Sequence, residues 1–279
     1  MTTTSTARAA ALLACALTLA GCAQDGADAG SPSSPAGPLP SGLVLQIAYT
    51  GGFTSPEELA TRLPLVTVYG DGRVVTQGAQ IEIWPSPALP SVQVQRVDEA
   101  TVRDLVDRAV EAGVTEEGDL GEPPVADAPT TRFTLSTGEG TTVREVYALG
   151  ETPDDTLTPA QVEARGRLRD LQDELTGLMA GPAEAYVPQT VAAVVQPHSG
   201  GDPELPQPDV AWPGPELPGT PLGAGITCVS ATGQQAADVL AAAASANVQT
   251  PWVTPDGARW SVAFRPVLPH ESGCADLGG

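Results

Sequence analysis

The segment 92–113 reads VQVQRVDEATVRDLVDRAVEAG, and the change of period inside it decides the fold class. Val92 to Val97 reads as a short strand. From Glu99 the apolar residues follow a helical repeat. Val102, Leu105, Val106, Ala109 and Val110 form one buried stripe, which predicts a helix over 99–112. Asp98 stands where an N-cap belongs, and Gly113 where a C-terminal stop belongs. Asp104 and Arg108 make an acid-first pair one turn apart. Downstream, Arg132 to Ser136 and Thr141 to Leu149 flank Gly138-Glu139-Gly140, a hairpin signal.

Residues 92–149 therefore read strand, helix, hairpin. Residues 226–268 read the same way, with Pro255-Asp256-Gly257 as the turn. The likeness is read in two ways, as an internal duplication of a β-α-β-β unit or as two instances of a common arrangement. Both imply an α+β fold, with antiparallel sheets built from hairpins and three amphipathic helices packed on one face.

Working outward, Leu43 to Tyr49 reads as a strand and Tyr49-Thr50-Gly51-Gly52-Phe53 as a turn. Ser55-Pro56-Glu57-Glu58 is a capping box opening a short helix over 56–62. Leu65 to Tyr69 and Arg73 to Thr76 flank Gly70-Asp71-Gly72, a second hairpin. Ile81 to Trp84 is expected as a further short strand. A helix is expected over 159–179, capped by Thr158 with Gln161 as its reciprocal partner. Its apolar face is Ala164, Leu168, Leu171, Leu175 and Leu178, and its charged face reads as solvated surface.

Residues 196–224 hold eight prolines and Trp212. Such a stretch should run extended, either draped over the domain with Trp212 as a plug or linking two lobes. Ile226 to Ser230 is then a strand. Thr232 heads a capping box for a helix reaching Ala246, with Ala236, Val239, Leu240, Ala243 and Ala244 inward. Thr250 to Thr254 and Ala258 to Leu268 complete a hairpin, where Trp260, Val262 and Phe264 share one face.

At the N-terminus, Arg8 precedes an almost wholly apolar run, Ala9 to Ala20. The run is too short to span a bilayer, which takes about 20 residues, and suits a signal peptide. It ends in Leu19-Ala20-Gly21-Cys22, which resembles the lipobox of bacterial lipoproteins at every position. The resemblance implies cleavage before Cys22 and a lipid on its thiol, so that Cys22 tethers the chain to the outer face of the cell membrane. The abundance of Ala, Gly and Pro with no Lys resembles the high-GC bias of actinobacterial-type lipoproteins.

The expected organisation is a signal peptide over 1–21, a Gly/Ser/Pro tether over 22–42 and an α+β lobe over 43–195. The Pro-rich segment over 196–224 and a C-terminal α+β segment over 225–279, packed on the first lobe, follow. A flexible tether of about 20 residues reaches roughly 25 Å on average. That exceeds a Debye length of about 8 Å and clears the charge of a membrane surface.

All 13 basic residues are Arg, against 34 acids, for a net charge of −21. Without Lys there is no Walker A loop, no Schiff-base amine and no S-x-x-K nucleophile. The acidity repels phosphate backbones, so nucleic acid is not an expected partner. Cys15 leaves with the signal and Cys22 takes the lipid. Cys228 and Cys274 remain as an even pair in an oxidising compartment and are expected to bond. A loop of that length stabilises the fold by about 4 kcal/mol on the chain-entropy model.

The only histidines are His198, in the Pro-rich segment, and His270. Neither belongs to a catalytic motif, the nearness of His270 to Cys274 reads as coincidence, and no cofactor or metal is called for. The Gly-Gly loop Tyr49 to Ser55 either binds an anion or is a plain turn needing positive φ. The expected function is a membrane-anchored, extracytoplasmic, non-enzymatic module. Its partners would be the membrane, through the lipid on Cys22, and an unidentified envelope protein or small ligand. The alternative is an envelope hydrolase using a carboxylate pair.

Overall fold

The computed structural model describes residues 38–151, 156–178 and 182–277. The signal segment, Cys22 and most of the tether lie outside the described residues. The strands sort into two sheets. The first comprises β1 (Leu43–Gly51), β2 (Val66–Tyr69), β3 (Arg73–Gln77), β4 (Val92–Arg96), β5 (Pro129–Thr137), β6 (Gly140–Tyr147) and β7 (Glu184–Ala185). It is antiparallel throughout, in the order β6-β5-β1-β2-β3-β4-β7. The second comprises β8 (Thr190–Pro197), β9 (Val210–Ala211), β10 (Thr220–Gly223), β11 (Ile226–Thr232), β12 (Trp252–Val253) and β13 (Arg259–Pro266). Its order is β10-β11-β8-β13-β12-β9, antiparallel except for β9 beside β12.

The helices are α1 (Pro56–Thr61), α2 (Glu99–Glu111), α3 (Pro159–Gly177) and α4 (Gly233–Ala243). Helices α2 and α3 cover one face of the first sheet. Val102, Leu105, Ala109, Leu168, Leu171 and Leu175 pack there against Leu45, Ile47, Val66, Val68, Val74 and Phe133. Helix α4 does the same for the second sheet, where Ala236, Val239 and Ala243 meet Val191, Ala193, Val195 and Phe264. The two sheets are joined through α1 and the C-terminal segment. Ala60 of α1 packs on Ala192, Val194 and Val267 of the second sheet and its C-terminal extension. Tyr69, Val75 and Val92 of the first sheet enclose Leu268. Strands at this seam are covered on both sides, so β2 is buried at all four positions and β8 from Val191 to Val195.

The α+β reading holds, with the long helices on one face of each sheet. The caps at Asp98 and Thr158 form: Asp98 accepts from Thr101 N–H, and Thr158 and Gln161 bond reciprocally. The two β-α-β-β segments are wired differently. Between β4 and β5 lie three strands, and between β11 and β13 lies one. The common-arrangement reading is the one this topology fits.

Four local expectations are corrected. Ile81 to Trp84 forms no strand. The adjoining strands β3 and β4 are already paired on both sides. The expected strand Thr250 to Thr254 is ladder-paired only at β12. Thr232 makes no side-chain cap; it ends the β11 ladder opposite Thr190, and the chain turns into the helix through Gly233 at φ of 55°. The solvated face assigned to the 159–179 helix includes Arg165, which is buried. The Pro-rich segment drapes over the second sheet: it supplies β9 and β10, and Trp212 stacks with Phe264 and meets Trp252 edge-on.

Candidate functional site

Two features stand out from the packed layers. The first is a polar seam between the sheets. Tyr69 of β2 turns its hydroxyl to His270 Nδ1 at 2.8 Å, and His270 Nε2 lies 3.2 Å from the Gln46 amide nitrogen of β1. Arg265 of β13 forks onto Glu271 at 2.6 and 2.7 Å, and the pair is almost wholly buried. Glu271 also accepts from Leu268 N–H at 2.8 Å. Tyr186 O–H donates to Val267 C=O at 2.8 Å. Burial raises the Tyr69 hydroxyl pKa above its ordinary value, and Tyr186 likewise. Partial burial lowers His270, with nearby Arg265 acting the same way and Glu271 and Asp276 opposing it.

Two hollows flank this network. One of about 240 Å³ is lined by Arg73, Tyr186, Gln189, Thr190, Leu268 and Glu271. The other, of about 150 Å³, is lined by Gln46, Arg62, Arg132, Arg265, Glu271 and Asp276 among others. Every charged side chain here has an internal partner. Arg73 pairs with Asp71 at 2.8 Å and lies over the Tyr69 ring, and Arg132 pairs with Glu145 at 2.7 Å.

The second feature is the β3–β4 connection. Its mouth is closed by Gly78 N–H donating to Ser91 C=O at 2.9 Å, and by the Gln80 side chain bonding Ser91 on both sides. Its far limb is tied to the end of α4. Ala88 N–H donates to Ala246 C=O at 3.1 Å, and Val248 N–H to Ser86 C=O at 3.0 Å. Between these clamps Ile81, Ile83 and Trp84 are 61, 56 and 65% exposed. Glu82 is the sole ionisable residue between Arg73 and Arg96. In so acidic a chain this is an apolar, charge-poor tip on a tied base. The chain enters the fold at the other end of β3, where Gly70 N–H donates to Gly42 C=O at 3.0 Å.

The sequence-predicted residues fall as follows. Cys22 lies outside the described residues. Cys228 and Cys274 come together, with S–S 2.05 Å and Cα–Cα 5.9 Å. His270 shares its C-terminal segment with Cys274, and its contacts are with the seam rather than the sulfur. His198 Nδ1 lies 3.0 Å from Ser261 Oγ across the β8–β13 ladder. The Gly-Gly loop is a turn with φ of 63° and 87° at Gly51 and Gly52. The helix it enters, α1, has only six residues. Asp119, Glu122 and Glu145 line a hollow of about 320 Å³. Asp119 accepts from Gln161 at 2.9 Å and from Gly121 N–H at 2.8 Å. Among the described residues no group of His, Cys, Asp and Glu is placed to hold a metal ion. None of their helices is long and apolar enough to cross a membrane.

Sequence reasoning missed both the seam and the tip. The seam joins residues more than two hundred positions apart, beyond any local pattern. The tip carries a signal legible in the sequence, Ile81-Glu82-Ile83-Trp84, whose alternation favours a strand. No family model, curated protein or solved structure shows significant similarity to this chain.

Proposed function

We propose that this chain is a membrane-anchored, extracytoplasmic lipoprotein whose folded domain is a non-enzymatic binding module, docking a protein partner on the β3–β4 tip. The observation that carries the binding reading is the exposure of Ile81, Ile83 and Trp84 on a loop tied at both ends. Clustered large apolar side chains held outward mark interaction sites, and Trp is enriched among the anchors of protein interfaces. A tied loop also loses little freedom on binding, which favours affinity. The anchor reading rests on Leu19-Ala20-Gly21-Cys22 behind an apolar run, and the Cys228–Cys274 pair suits an oxidising compartment.

The binding test is photo-crosslinking in intact cells, with a benzophenone amino acid at Ile81 and, as control, at exposed Val143 on β6. A discrete adduct is expected from position 81 alone, and Trp84→Ala in the same chain should reduce it about tenfold, as loss of an interface anchor does. Equal adducts at both positions, or an adduct indifferent to Trp84, would refute the tip as the docking surface. The anchor is tested separately. Cys22→Ala should move the protein from the detergent phase to the aqueous phase, and retention in detergent would place the attachment elsewhere.

A further inference from the structure

The C-terminal segment 267–277 runs along the seam and bonds to both sheets. Toward the first sheet, Leu268 sits among Leu63, Tyr69, Val75 and Val92, and His270 reaches Tyr69 and Gln46. Toward the second, Glu271 is forked by Arg265, Leu277 joins Ala192, Val194 and Cys228, and Cys274 is joined to Cys228. Its outer side, at Pro269, His270, Ser272, Ala275 and Asp276, is exposed. Glu271 borders both seam hollows, so the segment is the partition between them.

We propose that 267–277 is a strap latched by the Cys228–Cys274 disulfide, and that reduction by a dithiol releases it and joins the two hollows into one open cleft. Beyond Glu271, the strap's end is held by Leu277, packed on Ala192, Val194 and Cys228, by hydrogen bonds that are local or run to Ser230, and by the disulfide itself. Asp276 accepts from the N–H groups of Ser272 and Gly273, within the strap itself. Cys274 N–H donates to Ser230 Oγ at 3.0 Å, and Ser230 O–H faces Cys274 Sγ at 3.2 Å. Gly273 lies so close to Ser230 that a Cβ there would come within 2.4 Å of its hydroxyl. This close approach is held in register by the bonded sulfurs.

The exchange follows from access. Cys228 is 2% exposed, whereas Cys274 is only half-buried. A reductant thiolate attacks Cys274 Sγ, forming a mixed disulfide and breaking the bond to Cys228, which leaves as a thiolate and takes a proton from solvent. The reductant's second thiol then displaces Cys274. Two electrons have passed from the dithiol, now a cyclic disulfide, to two protein thiols. Lifting Glu271 away uncovers Arg265, now 3% exposed, as a planar fork able to take a carboxylate at the floor of the joined cleft.

The test is amide hydrogen exchange on the full chain, oxidised and then reduced with dithiothreitol, with Cys228→Ser/Cys274→Ser as the permanently open form. Reduction should cut protection across 267–277 by about tenfold or more, while amides of β8, β11 and β13 stay protected, as for a local opening unit. The double variant should match the reduced protein. Persistent protection of 267–277 after reduction would show that the disulfide is no latch. Loss of protection in β8 and β13 as well would show a staple of the whole sheet rather than of the strap. Either result overturns the proposal.

Discussion

Arg165 shows how a single side chain can be misread from its neighbours in sequence. Arg165 precedes Leu168 by three positions, which places it on the apolar side of α3. Its guanidinium donates to the carbonyls of Tyr147 and Ala148 at 2.8 and 2.7 Å, and to those of Leu120 and Gly121 at 3.3 and 3.4 Å. Ala148 has φ of 50°, a conformation that a non-glycine residue adopts at some cost and that this bond helps hold. The position was readable from the helical period, but the carbonyls it would meet were not.

His270 links residue chemistry to stability. Partial burial keeps its folded pKa below the ordinary value, so the unfolded chain binds the proton more readily. Stability from this group is therefore present above about pH 6.5 and declines as pH falls from there toward the lower folded value. The ring is partly exposed, so the slope should stay well under the limit of about 1.4 kcal/mol per pH unit. Urea midpoints at pH 7.5 and 5.5 should separate in the native chain, and His270→Gln should narrow the gap. An unchanged gap would assign the acid sensitivity to other groups. Asp276 responds in a different window: hydrogen bonds from Ser272 lower its pKa, so its contribution is lost only below about pH 3.8.

At the scale of elements, Thr158 and Thr232 carry the same local signature with different outcomes. Thr158 closes both bonds of its box with Gln161. Thr232 ends the β11 ladder, and its hydroxyl caps nothing. Thr158→Ala should therefore cost about 1 kcal/mol, whereas Thr232→Ala should stay within about 0.5 kcal/mol. Chemical denaturation of the two variants side by side checks the contrast, and equal losses would contradict the cap assignment. The Ile81 to Trp84 segment has alternating, bulky residues suited to a strand. The strands it adjoins, β3 and β4, are each paired on both sides, and its side chains remain in solvent.

For the whole molecule, the seam makes the two sheets one structure. Of the four tryptophans, Trp212, Trp252 and Trp260 pack in or on the second sheet's core, and Trp84 is on the tip. Tryptophan emission therefore follows the second sheet, while far-UV ellipticity follows both. If Leu268, Arg265–Glu271 and Tyr69–His270 couple the sheets, the two signals should give coincident urea curves. Separated midpoints would show that each sheet unfolds alone. Coincidence in the native chain and separation after Leu268→Ala would locate the coupling at the seam.

What the sequence determined alone is what depends on short range. Residues 92–113 set a strand followed by a capped helix, Gly70-Asp71-Gly72 set a hairpin, and Trp260, Val262 and Phe264 set a one-faced strand. Turn residues and apolar periods act within a few positions, and they are enough for an α+β class. The cysteine count leaves three possible partners for Cys228, and the structure pairs it with Cys274. The tertiary structure alone decided which strands became neighbours, that α1 and the segment 267–277 join the two sheets, that Arg165 is buried and that Ile81, Ile83 and Trp84 stay out. Each of these depends on which surfaces and sheet edges remain free once distant segments have packed, and competition for buried area between segments leaves no trace in local spacing.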